Sequence, residues 1–177
     1  MVKIIQNGNK TLRKIAKEVS ISEIIKPKIQ KILKDMSEAL DGQNDGVAIA
    51  APQINVSLRI FIVSGKIFDE NFINDKNIDK DNFSNKKISP NLIFINPILK
   101  KISREKKLLE EGCLSVRPIF GKVRRSVKAV VEAYDENGKK FTRGGSGLLA
   151  HIFQHEIDHL EGVLFIDKAE EMREILE

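Results

Sequence analysis

The sequence predicts an α+β fold in which mostly antiparallel β-sheets pack around one late, central helix. Three observations lead there. Runs rich in Ile and Phe recur at strand length without regularly alternating helices, which argues against a parallel, doubly wound sheet. Apolar residues recur at helical spacing over 27–42 and again over 147–161. The second of these patterns carries two histidines four residues apart, His155 and His159. A length of 177 residues suits one domain with a real core, expected over 1–177.

The elements follow in order. Ile29, Ile32, Leu33, Met36, Ala39 and Leu40 lie on one helical face, with Pro27 at a first helical position and Gly42 past the last apolar residue. A loop through Asp45 leads to the small, apolar stretch GVAIAAPQ at 46–53. LRIFIV at 58–63 and LIFINPIL at 92–99 read as strands. Between them, residues 66–90 are dominated by Asn, Asp, Lys and Ser and read as a mobile surface insertion. Residues 128–134 and 139–143 form strands of a hairpin turned at Asp135-Glu136-Asn137-Gly138, and Gly144, Gly145 and Ser146 are expected to break the second. A helix is expected from Gly147 to Glu161, ended by a left-handed Gly162. A last short helix is expected from Lys168 to Leu176.

Composition narrows the classes. Hydrophobic residues make up 41% and charged residues 31%, which excludes a disordered chain. The net charge of +5 is modest, no basic block is interleaved with aromatics, and there is no Trp. No specific nucleic-acid partner is therefore expected, only a weak, transient attraction to an acidic assembly such as the ribosome. The single cysteine, Cys113, makes no internal disulfide and points to a reducing compartment. The opening MVKIIQNGNK lacks the apolar core of a secretory signal and no stretch has the length of a membrane span, so a cytoplasmic protein without a membrane partner is expected.

The late helix carries the chemistry. In His155-Glu156-Ile157-Asp158-His159 the two imidazoles stack on one helix face and can reach one ion. Such an ion acidifies a bound water, and Glu156 stands beside it to take and return a proton. The pattern calls for a third ligand. A distal His of the H-E-x-x-H-x-x-G-x-x-H kind is absent, because Phe165 occupies that position. Glu170, Glu171 and Glu174 fit a solvated terminal helix better. His151 shares the helix face, but three successive turns diverge too far for one ion, so it is expected at the edge of a pocket. Cys113 remains as a candidate, its thiolate being a good soft ligand.

Taken together, GVAIAAPQ (46–53), EGCLS (111–115) and QHEIDH (154–159) resemble the three signature motifs of the peptide deformylases, in order and spacing. The likeness extends to LRKIAKEV (12–19) and GVLFID (162–167) and so covers nearly the whole chain apart from 66–90. It implies a single catalytic domain and one divalent ion held by Cys113, His155 and His159, iron(II) being the expected native metal and zinc or nickel suiting the same ligands. It implies a metal-dependent amidohydrolase of N-terminal processing in protein biosynthesis. Its substrates would be formyl-methionyl nascent peptides, from which it releases formate in the bacterial cytoplasm or, equally well, an organellar stroma or matrix.

The same resemblance implies the roles of individual residues. Gln53 and the backbone N–H of Leu114 would stabilise charge on the formyl oxygen, with Glu156 as base and then acid. Gly46, Val47, Ala48 and Gly112 would border the substrate backbone as an added strand. Val47, Leu148, Ile152 and Leu109 would form the methionine pocket. Glu111 and Arg125 would pair behind the cysteine loop. Three positions depart from the family pattern: Ala48 replaces a glycine, Arg117 precedes Pro118 where proline is usual, and the tail AEEMREILE is acidic where some relatives carry a long basic helix that docks on the ribosome. Two competing readings are a zincin-like endopeptidase and a metal-binding protein without turnover.

Overall fold

The computed structural model describes residues 2–68 and 89–175. Its elements are α1 (Pro27–Asp41), β1 (Ala48–Ala50), β2 (Ile60–Val63), β3 (Leu92–Ile102), β4 (Lys106–Gly112), β5 (Ile119–Ser126), β6 (Lys128–Tyr134), β7 (Lys140–Ser146), α2 (Gly147–Leu160) and β8 (Glu170–Glu174). All strand pairs are antiparallel. They form a five-stranded sheet, β1-β2-β3-β6-β7, and a three-stranded sheet, β4-β5-β8. The expected α+β class with antiparallel sheets around a central helix is the fold observed.

The five-stranded sheet is covered on both faces, and strand periodicity divides its side chains between them. On β2, Ile60 and Ile62 join the cluster beneath α1 with Leu33, Met36 and Leu40. Phe61 and Val63 point the other way, into a cluster with Phe94, Val131 and Phe153 of α2. This two-sided burial explains why β2 reads as an unbroken apolar run rather than an alternating one. Phe61 stacks on Phe94 with centroids 4.5 Å apart, and Phe153 meets Phe94 edge-on at 5.2 Å. A third cluster, with Leu12, Val116, Val123, Leu164 and Phe165, lies under the small sheet.

Three expectations need correction or placement. The terminal segment is strand β8, not a helix: it pairs with β5 through Ile119↔Glu174 and Phe120↔Arg173. All its residues are exposed, so no apolar face holds it as a helix, whereas the β5 edge offers partners for its backbone groups. The glycines at 144–145 do not break β7, which continues to Ser146 and pairs Gly144 with Val130. Gly145 sits under the first turn of α2, where an added Cβ would meet Leu149 Cγ at 2.9 Å and Ala150 N at 3.2 Å. Most of the expected insertion, residues 69–88, lies outside the described residues.

Helix α2 ends as expected at Gly162, whose φ of 73° turns the chain left-handed. Among the described residues, no helix is long and apolar enough to cross a membrane. The N-terminal segment ties the two motif loops together. Ile5 N–H donates to the Gln53 carbonyl at 2.9 Å and Asn7 N–H to the Ser115 carbonyl at 2.7 Å. The Gln6 amide donates to the Leu114 carbonyl at 2.9 Å.

Candidate metal centre

Strand β4 delivers Glu111 and then Cys113 to the face of α2 that carries the histidines. Side chains at i and i+4 stand one above the other on a helix, and the rings of His155 and His159 lie 5.0 Å apart at 76°. Cys113 Sγ lies 3.2 Å from His159 Nε2. The ligand atoms of Cys113, His155 and His159 all fall within 4.8 Å of one another, the one such cluster found among the described residues. Two imidazoles and a thiolate are a donor set for zinc or another late first-row ion.

Two buried polar atoms in this neighbourhood lack a hydrogen-bond partner among the described residues: Glu156 Oε2 and His159 Nδ1. Glu156 is 4% exposed, and burial raises its carboxyl to about 7 against the opposing pull of a protonated His155. A buried carboxylate oxygen without a donor is costly. Beside three atoms that could hold an ion, it is suited to receive the proton of a water bound there, so the residues fit an ion.

Glu111 stands behind the histidines. Burial alone would raise its carboxyl, but hydrogen bonds from His151, His155 and Arg125 outweigh that and hold it far below the usual carboxylate range. Oε2 accepts from His155 Nδ1 at 2.8 Å, which leaves Nε2 of that ring for an ion. Arg125 grips the same carboxylate with Nε at 2.6 Å and a second nitrogen at 3.1 Å, and reaches Asp158 at 2.7 Å. Burial tends to lower the pKa of both histidines of the cluster. For His155, bonds to Cys113 and Glu111 overcome it and the pKa rises well above its ordinary value, whereas that of His159 falls well below.

A cleft of about 340 Å³ opens onto this cluster. One wall is Gly46, Val47 and Ala48; the other includes Gly112, Cys113 and Leu114; Leu148, Ile152, His155 and Glu156 come from α2. Ala48 is 7% exposed with a negative φ, so its methyl group stands in the cleft wall without backbone strain. Gln53, 1% exposed, also lines the cleft. Its Oε1 accepts from Ala50 N–H at 2.8 Å, which turns Nε2 towards Ser115 Oγ at 3.2 Å and Cys113 Sγ at 3.5 Å.

Leu109, expected in the methionine pocket, is not in the lining. It shares the face of Glu111 but pairs with Val123, roughly 7 Å further along β4 from the cysteine end. Sequence reasoning also missed that His151 Nε2 lies 2.6 Å from Glu111 Oε1. It missed the salt bridge from Arg117 to Asp45, 2.6 Å, between two cleft-lining residues. No local pattern links these pairs, which are far apart in the chain.

The chain resembles known proteins along nearly its full length. It is 37% identical over 164 residues to peptide deformylase 2 of Gloeobacter violaceus, covering 92% of this chain and 76% of the relative. It is 38% identical over 170 residues to a peptide deformylase of Fusobacterium nucleatum, covering 96% and 84%. A Met-Ala-Ser-bound crystal structure of the class I type b peptide deformylase from Acinetobacter baumannii superposes with a TM-score of 0.78 at 30% identity, covering 95% of this chain and 99% of that one. The family model described as polypeptide deformylase matches residues 1–174, and the chain belongs to that family.

Proposed function

We propose that this chain works as a single catalytic domain that hydrolyses the N-formyl group from the N-terminal formyl-methionine of newly made polypeptides, releasing formate. Cys113, His155 and His159 would hold a divalent ion. The observation that carries this reading is their convergence within 4.8 Å at the foot of a cleft that also contains buried Glu156. Bound there, an ion supplies Lewis acidity, which polarises a carbonyl and makes water more acidic.

The chain's own residues do the rest. Glu156 takes a proton from the attacking water and hands it to the departing amine nitrogen as the C–N bond breaks, leaving formate and a free methionyl amine. Gln53 Nε2, oriented by the bond that its oxygen accepts from Ala50, and the Leu114 N–H stabilise the negative charge on the formyl oxygen. Gly46, Val47, Ala48 and Gly112 border the peptide backbone, and Val47, Leu148 and Ile152 receive the methionine side chain. The related enzyme crystallised with Met-Ala-Ser supports a substrate of this shape.

Formyl-Met-Ala-Ser should release formate quickly, acetyl-Met-Ala-Ser should react far more slowly, and unformylated internal peptide bonds should survive. Cleavage of casein-like substrates without formate would favour a peptidase instead. Iron(II) is the native ion we propose, with zinc or nickel suited to the same donors, and metal analysis of protein purified without oxygen decides among them. The ribosome, where such substrates emerge, is proposed as a transient partner in the cytoplasm, to be tested by co-sedimentation.

A further inference from the structure

Glu111 is held by three side chains, and one of them, His151, has no part in the roles assigned above. A carboxylate offers about four lone-pair sites. Here Oε1 accepts from Arg125 Nε at 2.6 Å and lies 2.6 Å from His151 Nε2, and Oε2 accepts from His155 Nδ1 at 2.8 Å and from Arg125 at 3.1 Å. His151 is one turn before His155 on α2, lines the cleft, and has a side chain 14% exposed. It is not a member of the metal-ligating cluster. A ring present only to fill a pocket wall needs no short bond to a buried carboxylate.

We propose that His151 is a positioning residue for the metal centre, holding the Glu111 carboxylate in the orientation from which it fixes the His155 ring. The proposal rests on the reading of Cys113, His155 and His159 as ligands. His151 adds a contact to Oε1, so a turn of the Glu111 carboxylate about its last bond loses that contact as well as the bonds from Arg125 and His155. The Nδ1 proton of His155 stays committed to Oε2, and its Nε2 lone pair stays aimed at the ion. Two turns of one helix thus share one carboxylate, the first to steady it and the second to be steadied by it. Because His151 also lines the cleft, the wall of the substrate site and the support of a ligand are one side chain.

The test uses the full chain loaded with Co(II). His151→Phe keeps the ring volume and removes the donor, and His151→Gln keeps an N–H able to reach Glu111. The Phe variant should lose cobalt to a chelator roughly tenfold faster than wild type, the low end for a partner behind a ligand. Its cobalt–thiolate absorption should shift, and His151→Gln should restore most of both. Cobalt loss and spectra in His151→Phe that match wild type would overturn the proposal. A defect that His151→Gln does not relieve would overturn it too, by assigning the ring to packing alone. Formate release by cobalt-loaded wild type, measured alongside, is a separate readout: its absence counts against the deformylase reading, and the cobalt comparison still decides the role of His151.

Discussion

The two faces of the five-stranded sheet rest on different physics. Beneath α1, Ile49, Ile60, Ile62 and Ile95 pack on Leu33, Met36 and Leu40 in a cluster of buried aliphatic groups. On the other face, past Phe153, helix α2 leads to a chain of polar contacts that runs from the interior to the surface: His151 and His155 on Glu111, Glu111 on Arg125, Arg125 on Asp158, and Asp158 on the exposed Lys168. The aliphatic cluster draws its stability from area removed from water, which is non-directional and tolerant of small exchanges. The polar chain repays the desolvation of its buried members only while each keeps its partners. One region is specified by volume, the other by direction.

Substitutions sharpen that contrast, beginning with the largest effect. His159→Ala removes a donor that nothing nearby replaces, and its metal content should fall well below one ion per chain, with activity lost alongside. Full occupancy by elemental analysis would break the ligand assignment. Glu156→Gln preserves shape and removes the proton acceptor, so metal and fold should persist while turnover drops about 10²–10⁴-fold. Near-normal formate release would give Glu156 another role.

The remaining two variants measure stability in urea. Arg125→Ala removes the buried cation between Glu111 and Asp158, leaving Glu111 to the two histidines and Asp158 to Lys168, and should cost about 3–5 kcal/mol, as breaking a buried ion pair does. Ile62→Val removes one methylene from the aliphatic cluster and should cost about 0.5–1.5 kcal/mol. Equal losses in the two variants would show that direction matters no more than volume here.

The same contrast explains what could be read from the sequence. Helices α1 and α2 and strands β2, β3 and β6 announce themselves because volume-driven packing leaves a period in the chain. The two histidines of α2 are legible for the same reason, since helix geometry alone stacks them. Strands β4 and β5 carry Lys106, Lys107, Lys122 and Arg124 on or near exposed positions and show too little alternation to be assigned. Strand β8 reads as a helix because Glu, Met and Arg are good helix formers, and only the β5 edge overrides that preference. The contact between His151 and Glu111 joins residues forty positions apart, and no periodicity marks it. The absence of Leu109 from the cleft lining is equally illegible, because a motif gives the residues near a cysteine but not how far along a strand the cleft reaches.

The division of the proposed ligands between two sheets has a consequence for the life of the molecule. Cys113 follows the last residue of β4 in the small sheet, and both histidines ride on the helix that packs on the large one. An ion shared by these three groups is a staple across the whole fold, absent from any chain in which the sheets have parted. Binding that is exclusive to the folded state adds about 2.7 kcal/mol when free metal exceeds its dissociation constant a hundredfold. Metal supply would then govern how long each copy escapes proteolysis as well as how fast it works. Starvation for the ion would thin the population of the enzyme, and not merely idle it.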